Sequence, residues 1–142
     1  MSMLANKVLL AIAVVVDVGI NSRERPVSAK ALAERHGLSP RHLEPFLQTL
    51  VRNGFLRGVR GPGGGYELAR DAKQIFVDEI ITATESDDAE PDEPLIAARF
   101  FHQAVRPALA VAEQKFLDAL AKVSVADMVR RTKATDCTPS DA

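Results

Sequence analysis

Two stretches of the chain hold residues whose types and spacing could do chemistry. The first is "SPRHLEPFLQTLVRN", residues 39–53. At about 100° per residue, Leu43, Phe46, Leu47 and Leu50 fall on one face of a helix. Arg41, Pro45, Gln48 and Arg52 fall on the other, with Glu44 and His42 toward its outer start. A helix presenting such a stripe can enter the major groove of duplex DNA. Arg41 and Gln48 could then meet base edges, and Arg52 a phosphate. Glu44 could accept from a cytosine amino group, and Pro45 could offer an apolar contact to a thymine methyl. A polar outer face is also what a merely solvated helix shows, so the stripe alone decides nothing.

The second stretch is "RGVRGPGGGYELAR", residues 57–70, which gathers five of the chain's eight glycines between Gly58 and Gly65. Directly after a helix pair, two short strands around such a loop form a wing, a thin hairpin able to follow a groove. Gly61, Gly63, Gly64 and Gly65 would let backbone approach phosphates, while Pro62 limits their freedom. Arg57 and Arg60 add charge, and Arg60 could enter a narrow minor groove. A nucleotide-phosphate loop would need Gly-Lys-Ser/Thr opening a helix, but Gly65 runs into "YELA". The dinucleotide fingerprint fails as well, because Tyr66 stands where its third glycine belongs. A purely structural hairpin remains open.

The elements that must position these residues are legible on either side. Ser28 suits the N-cap of "AKALAERH", and Gly37 its C-terminal end. Ser39 caps the next helix, with Pro40 at its first position. Ala33, Gly37 and Leu43 give a small residue at the crossing, a glycine in the turn and an aliphatic anchor. Leu32, Leu38, Leu47 and Leu50 complete the seam. This is a helix-turn-helix pattern, with a kink or irregular first turn expected at Pro45. Before it, residues 5–20 read as a buried helix. After the hairpin come a helix in "VDEIITATE" and a long helix from Leu95 to Val123, bent at Pro107. Ser124 and Asp127 then form a capping box for a short last helix. The fold class is mainly α with a small β-hairpin. Residues 1–84 form a winged helix-turn-helix, 85–94 an acidic linker, 95–131 a dimerisation helix with a closing short helix, and 132–142 a disordered tail.

Net charge is −1, but residues 23–73 carry ten Lys/Arg against five Asp/Glu, and residues 74–98 eight acids and no base. A basic middle therefore sits beside an acidic segment, and partners respond to the local field. Apolar residues at 46% and charged at 26% are an ordinary globular mixture. The apolar run Val8–Val16 is too short for a bilayer, which needs about 20 residues. The lone Cys137 can form neither an internal disulfide nor a cysteine metal cluster. The chain reads as cytoplasmic, with no membrane association. His36, His42 and His102 lack metal spacing, so no metal or cofactor is expected. The acidic run from Glu85 to Glu93 lacks the central glycine of a calcium loop. It reads as a solvated linker, with a decoy for the basic face or a weak cation site as lesser alternatives. No acid/base or nucleophile–base constellation points to an enzyme. Phe100, Leu109, Phe116 and Leu120 give the long helix an apolar face fit for a dimer seam or for packing on its own domain.

"LAERHGLSPRHLEPFLQTLVRNGFLRGVRGPGGGYELARDA" resembles the winged-helix core of the Rrf-type bacterial transcription regulators, the IscR-, NsrR- and CymR-like group. "VRGPGGGY" is that group's hallmark wing, and "VSVADMV" is similar to its closing helix. The likeness spans roughly residues 5–130 and is strongest over 28–72. It implies a homodimer held by the long helix with help from the first, binding a palindromic operator in double-stranded DNA. It places Ser39, Arg41, His42 and Glu44 at the reading start of the recognition helix, and Arg60 with the following glycines on the wing. Ser28, Pro40, Pro45, Gln48, Arg52, Arg57, Gly61, Gly63 and Gly64 complete the expected DNA-contacting set. The cluster-bearing members carry three cysteines before the long helix, where this chain has "ATESDDAEPDEPLIAAR". The group's usual tyrosine near the start is absent too. The expectation is a repressor without an iron–sulfur cluster. An effector between the subunits is left open, and the alternative function is a protein-interaction module with an acidic partner.

Overall fold

The computed structural model describes residues 4–86 and 97–134. Eight regular elements follow one another: α1 (Asn6–Asn21), α2 (Ala29–His36), α3 (Pro40–Arg52), β1 (Leu56–Val59), β2 (Gly65–Leu68), α4 (Val77–Ser86), α5 (Arg106–Leu120) and α6 (Val125–Ala134).

The helix-turn-helix forms because each end is capped locally. The Ser28 side chain accepts from the Ala31 amide at 3.0 Å, and Ser39 accepts from the His42 amide at 3.2 Å. Between these caps Gly37 takes φ 66°, a left-handed value that a side chain resists. The turn lets the Leu38 amide reach the Ala33 carbonyl at 2.9 Å, closing α2. Leu32, Ala33, Leu43, Leu47 and Leu50 are all buried in the resulting seam. Each buried leucine contributes about 2 kcal/mol of apolar transfer. Against them pack Val14, Val15 and Val18 of α1, with Phe55, Leu56, Ile75, Ile80 and Val125.

Helix α3 runs without interruption through Pro45, so the sequence's irregular first turn is absent. Pro40 occupies the first turn, where no amide partner is needed.

β1 and β2 pair antiparallel with Leu56 opposite Leu68 and Val59 opposite Gly65. Val27 adds a one-residue third strand, exchanging hydrogen bonds with Tyr66 at 2.8 Å in both directions. The hairpin is thereby tied to the entry of α2.

The long helical stretch starts at Arg99 and widens into a π-helical turn over Phe101–Val105 before α5. Pro107 follows this widened turn in the first turn of α5, where its missing amide hydrogen leaves one helical bond unmade. A second, smaller apolar cluster of Val8, Val77 and Ile81 receives Phe116, Leu117, Leu120 and Val123 from α5 and its exit.

Helix α4 continues to Ser86, so Glu85 is helical and not part of a linker. The rest of the acidic run to residue 94 lies outside the described residues. Ser124 and Asp127 make the expected capping box, with reciprocal bonds of 3.0 and 3.1 Å. Helix α6 reaches Ala134, past the expected end at 131, and the remaining tail with Cys137 lies outside the described residues.

Candidate nucleic-acid interface

The cap of α3 sets the geometry of its outer face. Ser39 Oγ accepts the His42 amide and also lies 2.9 Å from His42 Nδ1. With the hydroxyl donating to Nδ1, a neutral ring carries its proton on Nε2, turned away from the cap. Ser39 thus acts as a holder of His42. Ser28 is likewise occupied in capping α2. Pro40, Arg41, His42, Glu44, Pro45, Gln48 and Arg52 are all exposed, while Leu43, Leu47 and Leu50 are buried beneath them. Arg52 also contacts Thr49 Oγ1 at 3.4 Å.

The wing follows α3 in the chain, its first strand beginning at Leu56. The Gly64 amide bonds the Gly61 carbonyl at 2.9 Å, closing a turn with Pro62 and Gly63 at its centre. Gly63 has φ 75°, so the order proline then left-handed glycine is that of a type II turn. A Cβ on Gly64 would stand 2.3 Å from the Val59 carbonyl oxygen, and one on Gly65 2.3 Å from that of Val27. These two glycines are therefore required by the hairpin's own close packing, a role the sequence reading had given to phosphate approach. Gly61 and Gly63 have nothing within 4 Å of their Cβ positions. Arg60 is exposed at the tip. Arg57 donates from Nε to Glu67 Oε1 at 2.9 Å across the strand pair, so its charge is partly spent within the wing.

One polar cluster has no counterpart in the sequence reading. Asp17, 7% exposed on α1, receives Arg35 Nε and Nη2 at 2.8 Å each, His36 Nε2 at 2.9 Å and Asn21 Nδ2 at 3.0 Å. Burial alone would raise its pKa. The hydrogen bonds from Arg35 and Asn21, with the charges of Arg35 and His36, outweigh burial and hold the carboxyl below its ordinary value. The cluster pins the end of α2 to α1 and so fixes the platform under the recognition helix. Arg70 braces the wing's far end, lying 5.4 Å over the Phe55 ring and 3.6 Å from Glu79.

The four residues proposed for a dimer seam divide in two. Phe100 and Leu109 are 68% and 59% exposed, with Val111 at 59%. Phe116 and Leu120 are half-buried against their own chain, so packing on the domain accounts for part of their apolar face.

A family model described as an iron-dependent transcriptional regulator, Rrf2, matches residues 4–131. The chain belongs to the Rrf2 family. Its fold is the winged helix of that family. HTH-type transcriptional regulator IscR of Xenorhabdus nematophila is 46% identical over 87 residues, covering 61% of this chain and 53% of that protein. The chain spans about half the length of the curated relatives it matches. T. potens IscR superposes with a TM-score of 0.74 at 26% identity, over 99% of this chain and 94% of that one. CymR (YrzC), the global cysteine regulator of B. subtilis, shares the fold with a TM-score of 0.69 at 24% identity, over 96% and 100% of the two chains. These Rrf2 relatives are regulators, not enzymes.

The family description names iron, so the donor set matters. No three His, Cys, Asp or Glu side chains converge among the described residues, and the sequence holds one cysteine. These residues do not supply the thiolates of a cysteine-ligated iron–sulfur cluster. No helix among the described residues is long and apolar enough to cross a membrane.

Proposed function

We propose that this Rrf2 regulator acts as a homodimeric repressor on a palindromic operator, without a cysteine-ligated cluster. The observation that carries this reading is the uncovered outer face of α3 together with an exposed Arg60 on a glycine-built wing. Arg41 and Gln48 read base edges in the major groove, with Glu44 and Pro45 adding discrimination. His42 offers Nε2–H, and Arg52 meets a phosphate. Arg60 follows the minor groove or the adjacent backbone. The pairing of Arg57 with Glu67 makes Arg60 the stronger wing contact of the two. Exposed Phe100, Leu109 and Val111 form the seam between copies.

The test begins by selecting bound fragments from genomic DNA and comparing them with scrambled duplexes in gel shifts. A half-site repeated with two-fold symmetry is expected. Equal binding to scrambled DNA would sink the reading and favour a protein-interaction module. On the selected operator, Arg60→Ala is expected to weaken binding by about 1–3 kcal/mol, and Arg57→Ala by less. Repression is checked with a reporter carrying that operator.

A further inference from the structure

A cleft of about 340 Å³ opens between α4 and α5, away from the face proposed for DNA. That size matches small-molecule sites, which start near roughly 300 Å³. Its floor is apolar: Leu4 ahead of α1, Ile81 of α4, and Leu109, Phe116 and Leu117 of α5. Ala112 leaves the space open where a larger side chain would close it. Its charged lining residues are two acids, Glu85 from α4 and Glu113 from α5, and no base lines it. Neither acid has an ion-pair or hydrogen-bond partner among the described residues.

An anion here would meet two carboxylates. A neutral apolar ligand would fill the floor but leave both acids without a partner. A cation with an apolar body satisfies both halves of the site, its charge at the acidic rim and its body on the floor. We propose that this cleft binds a small organic cation, an aryl- or alkylamine. The site does not depend on the operator reading, but it shares Leu109 with the seam proposed above, so an amine and a second copy compete for that side chain.

The probe is 2-phenylethylamine, titrated calorimetrically into the full chain beside 2-phenylethanol and phenylacetate. The amine is expected to bind at least about tenfold tighter than the alcohol, because the alcohol lacks the charge-assisted contact. Phenylacetate is expected not to bind. Glu113→Gln should erase the preference for amine over alcohol. Ala112→Leu should abolish binding of both by filling the cleft. Both positions are exposed, and thermal melting is expected to show each variant folded. Equal affinity for amine and alcohol would overturn the proposal. So would unchanged amine binding in the Glu85→Gln/Glu113→Gln double variant. A dimer that takes up no amine would also overturn it, and would assign the cleft to the second copy.

Discussion

A carboxylate set among Val14, Val15 and Val18 would be costly to bury unless its charge were met on every side. Asp17 is met by the Arg35 fork, the His36 ring and the Asn21 amide. The strongest partner, Arg35, stands 18 residues away and His36 19, so only the Asn21 contact is local to "VVVDVGIN". In the sequence Asp17 is simply the residue after the apolar run Val8–Val16, and His36 a histidine without metal spacing. Asp17→Asn is expected to destabilise the fold by about 1–3 kcal/mol at neutral pH, Arg35 being exposed enough to recover some water. The folded carboxyl titrates below its ordinary 3.8. Its contribution is therefore present above that value and lost as pH falls through the lower folded one. Denaturant melts at several pH values check this: the gap between wild type and Asp17→Asn should be full near neutrality and begin to shrink only as the pH falls below about 4. A gap that stays constant would show that the charge is not what the cluster uses.

Helices announced themselves through their ends. Ser28, Ser39 and the Ser124–Asp127 pair act within three residues, a range over which sequence and geometry are nearly the same thing. Val27 was not legible as a strand, because one residue of pairing leaves no alternation to see. The function of the wing glycines was half legible: their freedom was plain, but the Val59 and Val27 carbonyls that demand it at Gly64 and Gly65 are set by the fold. Gly64→Ala should force the tip to move, since the atom it meets is backbone. Broadened amide signals over 57–68, an unchanged core spectrum and operator binding weaker by about 1–2 kcal/mol are the expected outcome. Pro45 poses the opposite problem. An exposed interior proline costs a helix up to about 3 kcal/mol, yet α3 runs on through it. Pro45→Ala should therefore raise Tm. If Pro45 touches the operator, the same change lowers affinity, and this opposition of stability and binding separates a site residue from a tolerated defect. Higher Tm with unaltered affinity would remove Pro45 from the interface.

Across the whole molecule, charge and apolar surface are sorted onto different regions. Residues 23–73 carry ten Lys/Arg against five acids, residues 74–98 carry eight acids and no base, and the exposed Phe100, Leu109 and Val111 come after them in the chain. On the proposed reading, DNA is met by the basic lobe and a second copy by the apolar one. The two contributions can be separated by salt. Phosphate contacts release counterions, so affinity falls along a log–log slope of about −0.9 per phosphate neutralised. Apolar association through α5 is not weakened by salt in this way. Leu109→Glu places a charge on the seam while leaving the basic lobe intact. It is expected to shift sedimentation from dimer to monomer. With one lobe engaged in place of two, the salt slope of operator binding should fall to about half, since each copy contributes its own phosphate contacts. A variant that remains dimeric would move the seam away from Leu109. A monomer that keeps the full slope would mean that one copy makes all the phosphate contacts, and the two-fold operator would have to be abandoned.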